Sequence, residues 1–363
     1  MTHLRELIYG RASEADRVVR RARSTSGVGS IVWLFTYRCN LGCAHCQAAG
    51  GGSEELSTEE ALRVIGKLEE AGRPLVFVSG GEPLLRGDAV FLLEELKARG
   101  FRVILSTNGT LIDGSNAERI AGAVSNVALP VYGPPEVHDA YTRVRGSHEK
   151  VINSLRLLKG STGLTLRTVA SRTTLRHLDY VLDLASRYDV GTLYISDLPP
   201  LGGVKGELLS VAEWRELVDR LLKVLPEVGF EVDIGLHPSA GVYAMLKSGY
   251  TVQEIRERLR GYRLAREGLG FLALAPNGDV LVSNYAPVKI GNLLRDSLAS
   301  VLKHELYLKL GSPEVLRSRC PGCPLVEVCG GSRAKAYYYT GDVLGEDPTC
   351  MVRDILTSTR GLS

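Results

Sequence analysis

The chain has 363 residues, 44% of them hydrophobic, so it is long enough to bury one large core or two smaller ones. Its 44 basic and 41 acidic residues are mixed along the chain and leave a formal net charge of +3, which argues against nucleic acid and membrane surfaces as partners. No stretch approaches the roughly 18 apolar residues that a bilayer span requires, and the charged N-terminus has no apolar signal core, so we expect a cytoplasmic location.

The first 28 residues are predicted to form a helical segment that is rich in arginine. From residue 31 to about 195, β-branched runs alternate with amphipathic helical stretches, which is typical of βα units on a parallel sheet. The predicted strands span residues 31–36, 75–79, 101–106, 127–131, 164–170 and 193–196. The predicted helices between them span residues 57–72, 89–99, 117–122, 149–158 and 177–188. This pattern predicts an α/β fold with a partial (βα)6 TIM-like barrel over residues 29–235.

The alternation weakens at residues 198–203, a turn-rich connection with two prolines and two glycines. A helix over residues 211–225 and a strand over 231–235 are predicted to follow. Residues 269–275 and 280–283 flank an Asn277-Gly278 turn and predict a β-hairpin. Beyond it the chain is rich in cysteine and poor in predicted strands, so residues 236–363 are expected to form a linker and a small C-terminal domain.

Seven cysteines fall into two tight groups, over residues 39–46 and 320–350. Their number is odd and they are clustered, so in a reducing compartment they indicate metal ligation rather than disulfides. The first group, Cys39, Cys43 and Cys46, is a C-x3-C-x2-C run directly after a predicted strand. Three thiolates on one loop can hold three irons of a [4Fe–4S] cluster and leave the fourth iron open to a ligand. The alternatives are a zinc site completed by His45 or three unrelated loop thiols.

The Cys39 to Cys46 run resembles the signature of the radical S-adenosylmethionine (SAM) superfamily. The resemblance implies that the open iron binds the amino and carboxylate groups of SAM, and that SAM is cleaved to a 5′-deoxyadenosyl radical that abstracts a substrate hydrogen. It also implies that Cys39, Cys43 and Cys46 are the cluster ligands and that the backbone of His45 lies against adenine. An electron donor such as a ferredoxin or flavodoxin is then an expected partner.

Two further segments lie at the carboxyl ends of predicted strands, the edge where α/β sheets bind ligands. Gly80-Gly81-Glu82 resembles the family motif that receives the SAM amino group; taken alone, such a Gly-Gly turn would be a structural loop. Ser106 and Asn108, at the end of the next strand, resemble a segment near the SAM ribose and carboxylate, and an ordinary Asn-Gly turn stays open as their alternative.

One position departs from the family pattern. Pro130 stands where relatives commonly carry a serine that touches SAM, and it has no hydroxyl to offer. Arg143 or Arg145 can take over the SAM carboxylate, because a guanidinium suits bidentate pairing; ordinary solvated arginines are the alternative for each.

The second cysteine group comprises Cys320, Cys323, Cys329 and Cys350. Four thiolates can close either a [4Fe–4S] cluster or a zinc site, and their chemistry alone does not separate the two. The stretch resembles the SPASM/twitch extension of radical SAM enzymes, which implies an auxiliary [4Fe–4S] cluster. Cysteines of the full SPASM pattern are missing at about Ser283 and Arg333, so only the distal auxiliary cluster is expected.

The segment from Cys329 to Cys350 resembles the branch that includes enzymes of the alternative haem pathway and of haem variants. The resemblance implies oxidative decarboxylation or removal of side chains from a tetrapyrrole. Basic residues for its carboxylates are then expected, with Arg17, Arg20, Arg21 and Arg23 as candidates beside the alternative of a solvated helix face. Peptide modification, by thioether or crosslink formation, is the second hypothesis. A noncatalytic iron–sulfur electron carrier, which does not need the Gly80-Gly81-Glu82 turn, is the third.

Overall fold

The computed structural model describes residues 2–10, 28–46, 52, 54–198, 200, 202–260, 264 and 270–358. The strands of these residues are joined in one sheet in the order β1-β8-β7-β6-β5-β4-β3-β2-β9-β10-β11. The strands are β1 Thr2–His3, β2 Ser30–Leu34, β3 Leu75–Ser79, β4 Val103–Ser106, β5 Asn126–Pro130, β6 Gly163–Val169, β7 Thr192–Ser196, β8 Glu231–Gly235, β9 Phe271–Leu274, β10 Asp279–Ser283 and β11 Ala286–Asn292.

The helices cover one face of this sheet and also build the C-terminal region. They are α1 Leu4–Tyr9, α2 Thr58–Glu70, α3 Ala89–Ala98, α4 Ala117–Ala123, α5 Pro135–Thr142, α6 Ser147–Leu158, α7 Arg172–Arg176, α8 Leu178–Arg187, α9 Val211–Val224, α10 Pro238–Lys247, α11 Val252–Arg258, α12 Leu298–Val301, α13 Glu305–Leu310, α14 Arg333–Thr340 and α15 Arg353–Ser358. Short 3-10 turns lie at Pro83–Leu85, Gly202–Glu207, Pro313–Val315 and Cys320–Gly322. No helix of the described residues is long and apolar enough to cross a membrane.

The parallel part of the sheet confirms the predicted α/β class and partial barrel. Strands β2 to β8 pair in chain order, each parallel to the next. The sheet does not close on itself, because it ends at β1 on one side and at β11 on the other. The predicted strand at Glu231–Gly235 pairs in parallel with β7, so it adds a seventh parallel strand to the six of the predicted βα series. Helix α9, which starts with a full capping box at Ser210 and Glu213, provides that crossover.

The C-terminal hairpin extends the same sheet. Strand β9 lies parallel to β2, and β10 pairs antiparallel with β9, as the Asn277-Gly278 turn predicted. The expectation that the chain is poor in strands beyond this hairpin missed β11, which pairs antiparallel with β10. Only alternate β11 residues are buried, so its apolar signal is weak. The predicted division of the chain at residues 28 and 235 stays a prediction, although the sheet runs on past residue 235.

Of the helical segment expected over residues 1–28, the structure describes residues 2–10 and 28, where a two-residue strand precedes a short helix. β1 pairs antiparallel with β8 and leads directly into α1. The candidate arginines Arg17, Arg20, Arg21 and Arg23 lie outside the described residues.

The two faces of the barrel differ in chemistry because successive strand residues alternate between them. Outward-facing side chains such as Ile31, Trp33 and Val78 pack under the helices in the main core. Inward-facing side chains on β2, β9 and β10 form a separate small cluster. Its buried members are Val32, Leu34, Ala273, Ala275 and Leu281, with Tyr37, Phe77 and Phe271 packed against them. The inner surface therefore has an apolar wall on the β2–β10 side.

Candidate functional site

A cleft with about 950 Å³ of empty space opens at the carboxyl ends of the parallel strands. It is lined by the loop after β2, residues 35–46, which we call the cluster loop, and by the ends of β3 to β7. Most of the predicted site residues line it together: Cys39, Cys43, His45, Cys46, Gly80, Gly81, Ser106 and Asn108. Residues that are up to 69 positions apart in sequence are thus brought to one edge of the sheet, where parallel α/β folds place ligands.

Two glycines allow the turn after β3 to lie directly against the cluster loop. Gly81 N donates to Thr36 O at 2.8 Å, and Glu82 N donates to Arg38 O at 2.8 Å. A Cβ on Gly81 would lie 2.1 Å from Arg38 O, and Gly80 has a φ of +139°. Glycine is therefore required at both positions, for close backbone approach and for the left-handed conformation.

Glu82 is buried beneath this turn rather than in the wall of the cleft. Its carboxylate accepts hydrogen bonds from Asn108 N and Thr107 Oγ1, both at 2.7 Å, and from Leu84 N at 3.0 Å. Burial raises the pKa of Glu82, and these three hydrogen bonds oppose the rise. The carboxylate thus ties the turn after β3 to the turn after β4. Its predicted contact with the SAM amino group stays a prediction.

Asn108 orients the first cysteine. Its side-chain amide donates to Asn40 Oδ1 at 2.8 Å and lies 3.8 Å from Cys39 Sγ. Leu41 N also donates to Cys39 Sγ, at 3.4 Å. Donors around a sulfur favour its thiolate form, which is the form that ligates metals. The Asn108 side chain therefore has a structural task that an ordinary Asn-Gly turn does not require.

The first thiol group has the donor chemistry of an iron–sulfur site. Burial, together with the neighbouring Cys46 and Cys39, raises the pKa of Cys43 to about 12. Three thiolates grouped on one loop repel one another unless a cation lies between them, and the iron of a [4Fe–4S] cluster fits a three-cysteine donor set. Within the described residues no three Cys, His, Asp or Glu side chains close around a single metal ion, so the fit is one of grouping and donor type.

His45 lies in an aromatic pocket. Its ring centroid is 5.2 Å from that of Tyr132 and 5.0 Å from that of Tyr141, and its Nε2 is 3.5 Å from the Tyr132 hydroxyl. Burial, assisted by the charge of Arg167, lowers the pKa of His45 to about 4, so the ring is neutral. This packing favours a role for its backbone at the cleft over a role as the fourth ligand of a zinc ion.

The C-terminal end of α5 is bonded to the cluster loop. Gly42 N donates to Thr142 O at 3.0 Å, and Ala44 N donates to Tyr141 O at 3.2 Å. The next residue, Arg143, is exposed, with its Cδ 3.6 Å from where a Cβ on Gly42 would stand. Its charge also helps to lower the pKa of Cys43. Of the two arginines predicted as carboxylate partners, Arg143 therefore lies beside the cluster loop, and no described contact joins Arg145 to it.

Arg167 in the cleft was not foreseen from the sequence. It lies on the inner face of β6, donates to Ser106 Oγ, and has its Cζ 5.6 Å from the centre of the Tyr194 ring. The alternation along β6 carries the signal: Leu164, Leu166 and Thr168 are buried, while position 167 is only partly buried. A single arginine within a β-branched run does not change the prediction of a strand, and the run alone does not indicate which face of the sheet the arginine occupies.

The four later cysteines also converge, at what we call the distal site. Burial raises the pKa of Cys329, and the nearby Cys350, Cys320 and Cys323 raise it further. Cys323 N donates to Cys320 O at 2.8 Å, and Leu325 N donates to Cys323 Sγ at 3.5 Å. Among the described residues, which include all seven cysteines, no disulfide forms. The donor set fits a closed four-thiolate centre.

The two positions where SPASM cysteines are missing have structural roles of their own. Ser283 is fully buried at the end of β10 and accepts from Tyr285 N at 3.2 Å. Arg333 is buried, and its guanidinium donates to the carbonyls of Gly330 at 2.7 Å and Gly345 at 2.9 Å. Neither side chain supplies a thiolate, in agreement with a single distal centre.

A buried ionic bridge joins the cleft to the distal site, and sequence reasoning missed it as well. Lys335 Nζ lies 2.7 Å from Asp197 Oδ2 and 3.8 Å from Asp347 Oδ2, and it donates to the Thr349 hydroxyl. Asp197 follows β7 in the cleft wall, and Thr349 precedes Cys350. Burial lowers the pKa of Lys335, but the two carboxylates raise it by more, so the lysine stays charged.

Comparison with known proteins agrees with this geometry. The family model described as "Radical SAM superfamily" matches residues 33–185. The AdoMet-dependent heme synthase of Methanosarcina barkeri is 29% identical over 335 residues, which cover 89% of this chain and 96% of that protein. The mycofactocin maturase MftC of Mycolicibacterium smegmatis is 31% identical over 341 residues, covering 88% of this chain and 82% of that protein. The crystal structure of Streptococcus suis SuiB has the same fold, with a TM-score of 0.70 at 18% identity over 92% of this chain and 79% of that one.

Proposed function

The chain belongs to the radical SAM superfamily, and on that premise we propose that it removes carboxyl-bearing side chains, or their carboxyl groups, from a haem-type tetrapyrrole. The radical SAM class makes it an enzyme, so the hypothesis of a noncatalytic iron–sulfur carrier is wrong. The tetrapyrrole substrate is the part that is proposed. The observation that carries it is the alignment with an AdoMet-dependent heme synthase over nearly the whole of both chains.

The first cysteine group serves SAM cleavage. Cys39, Cys43 and Cys46 would hold a [4Fe–4S] cluster, which would supply the electron for reductive cleavage of SAM to methionine and a 5′-deoxyadenosyl radical. The backbone of Gly80 and Gly81 offers polar groups at close range in the cleft wall. The charge of Arg143, beside the cluster loop, suits the SAM carboxylate.

The proposed role of the distal site is to accept the electron that the substrate loses. Abstraction of one hydrogen atom from a propionate leaves a carbon radical; loss of carbon dioxide from the ionised carboxylate then gives an alkene and releases one electron. Cys320, Cys323, Cys329 and Cys350 would hold an auxiliary [4Fe–4S] cluster, which would supply a one-electron acceptor at the distal site. A ferredoxin or flavodoxin is the proposed donor for the first cluster.

The inner surface of the barrel suits a flat, largely apolar ligand with anionic arms. Phe77 and Phe271, whose ring centroids are 6.5 Å apart, pack on the apolar wall together with the small side chains of Ala273 and Ala275. Arg167 supplies positive charge in the cleft. Binding sites of this kind combine an apolar surface with a few placed polar groups.

Peptide or protein maturation is the second candidate, favoured by the 31% identity to a mycofactocin maturase. The two candidates differ in what the same enzyme would consume, so one experiment separates them.

The test is to incubate the anaerobically reconstituted, reduced enzyme with SAM and either iron-coproporphyrin III or didecarboxysirohaem, and to follow the tetrapyrrole by mass spectrometry. We expect stepwise loss of carboxyl-bearing mass together with 5′-deoxyadenosine. The Cys39, Cys43, Cys46 triple alanine variant is the control and leaves the tetrapyrrole intact. If neither compound binds or changes while a peptide encoded by a neighbouring gene is modified, the maturase function is correct instead.

A further inference from the structure

We infer that Arg167 is the residue that binds a carboxylate group of the substrate, as distinct from the carboxylate of SAM. The inference deepens the proposed function and rests on it for the identity of the carboxylate, a propionate or acetate arm of a tetrapyrrole. It assigns a ligand to the Arg167 guanidinium, a positive charge in the cleft that has no assigned part in cluster binding or SAM cleavage.

Arg167 has no acidic partner of its own. No described aspartate or glutamate pairs with it, and its described polar bond goes to the neutral hydroxyl of Ser106. Asp197, the acidic residue that lines the same cleft, is paired with Lys335 instead, with its Oδ2 2.7 Å from Lys335 Nζ. A guanidinium has five N–H donors, so the bond to Ser106 leaves most of them for an incoming ligand.

Two neighbours hold the guanidinium in place. Ser106 fixes it from β4, two strands away, and the Tyr194 ring on β7 lies 5.6 Å from its Cζ. A planar cation held between a hydroxyl and an aromatic face loses little freedom when it pairs with a carboxylate, so bidentate binding is favoured. The tyrosine also shields the pair from water, which strengthens the attraction.

The carboxylate of SAM has a different partner within reach. SAM is anchored at the cluster loop, and Arg143 lies against Gly42 of that loop. Arg167 belongs to the strand wall, where it pairs in register with Pro130 on one side and Tyr194 on the other. Arg143 is therefore assigned to the carboxylate of SAM and Arg167 to that of the substrate. Replacing either arginine should weaken the binding of its own ligand only.

The test measures two affinities in the reconstituted holoenzyme. Iron-coproporphyrin III is titrated against the wild type, Arg167→Gln, Arg167→Lys and the exposed-arginine control Arg156→Gln, with SAM titrated against the same proteins. We expect Arg167→Gln to weaken iron-coproporphyrin binding about ten- to hundredfold, the range of a charge-assisted hydrogen bond. SAM affinity should stay unchanged, Arg167→Lys should be intermediate, and the tetramethyl ester of iron-coproporphyrin III should bind the wild type and Arg167→Gln alike. A loss of SAM affinity in Arg167→Gln, or equal losses for acid and ester, would overturn the assignment.

A second measurement tests Arg167 as a carboxylate-binding residue independently of the proposed tetrapyrrole substrate. Propionate alone is added while phenylglyoxal modifies the arginines of the holoenzyme, and modification is read by peptide mass spectrometry. We expect propionate to protect Arg167 and to leave Arg156 unprotected. If the wild type binds no tetrapyrrole but propionate still protects Arg167, the tetrapyrrole substrate is wrong and the carboxylate site stands. Absence of protection together with unchanged binding by Arg167→Gln contradicts the site itself.

Discussion

Replacing Lys335 with methionine is expected to destabilise the protein strongly. The side chain of Lys335 is 1% exposed, and those of its partners Asp197 and Asp347 are 6% and 3% exposed. Methionine has nearly the same length and volume, so the change creates little empty space. What it removes is the positive charge between two buried carboxylates.

The size of the effect follows from that burial. Removing one member of a buried ionic bridge costs about 3–5 kcal/mol, because the remaining charges stay buried without compensation. Here two carboxylates are left facing each other, which places the effect in the upper half of that range. For a chain of this length the loss corresponds to a fall in Tm of roughly 5–7 °C.

The assay is thermal unfolding of the anaerobically reconstituted protein at pH 7.5. Lys309→Met is the matched control, since Lys309 makes an exposed i,i+4 pair with Glu305 and should leave Tm within error. Adding Asp197→Asn to Lys335→Met should recover part of the loss, because it removes one of the two uncompensated charges. A Tm for Lys335→Met equal to that of the Lys309→Met control would refute the reasoning, as would a double variant that is less stable than Lys335→Met.

Three further outcomes are expected. Gly81→Ala should lower the amount of iron bound at the cluster loop, because a Cβ at Gly81 would lie 2.1 Å from Arg38 O. Gly87→Ala is the control and should bind as much iron as the wild type, since a Cβ at Gly87 meets nothing within 4 Å. Iron analysis of both variants checks this. The free energy of unfolding, measured in urea, should fall as the pH is lowered from 7.5 to 5.5. Burial lowers the pKa of His138 to about 4, whereas a histidine of the unfolded chain has a pKa near 6.5, so the unfolded chain binds more protons in this range. An unchanged dependence of this free energy on pH in a His138→Asn variant would count against this cause. Reconstituted wild type should hold about eight iron atoms and no zinc, from its three-plus-four cysteine groups, and about four iron atoms or zinc at the distal site would contradict the two-cluster arrangement.

The parallel sheet was readable in the sequence because local pattern and tertiary environment agree there. The predicted strand at 75–79 matches β3 residue for residue, and the helix predicted over 57–72 is present as α2, with a capping box at Ser57 and Glu60. Helices α5 and α10 were missed: α5 is short, and α10 is buried over nearly its whole length, so it shows no amphipathic period. Strand β11 was not predicted because its apolar signal is weak.

The candidate site was predictable only where a ligand imposes a spacing. Cys39, Cys43 and Cys46 stand out because their C-x3-C-x2-C spacing is the one expected of ligands to a single cluster, and Gly80 and Gly81 stand out because two backbones approach closely there. Arg167 and the bridge from Lys335 to Asp197 have no such local signature. Their roles depend on which strands and loops become neighbours: Lys335 and Asp197 are separated by 138 positions, and only the fold brings them together.

The central claim is that Cys39, Cys43 and Cys46 hold the cluster that cleaves SAM. Its most direct test is the amount of 5′-deoxyadenosine formed from SAM under dithionite by the reconstituted wild type and by the triple alanine variant at these three positions. We expect the wild type to form 5′-deoxyadenosine, and the variant to form none while it keeps the iron of the distal site. Undiminished 5′-deoxyadenosine formation by the variant would contradict the claim.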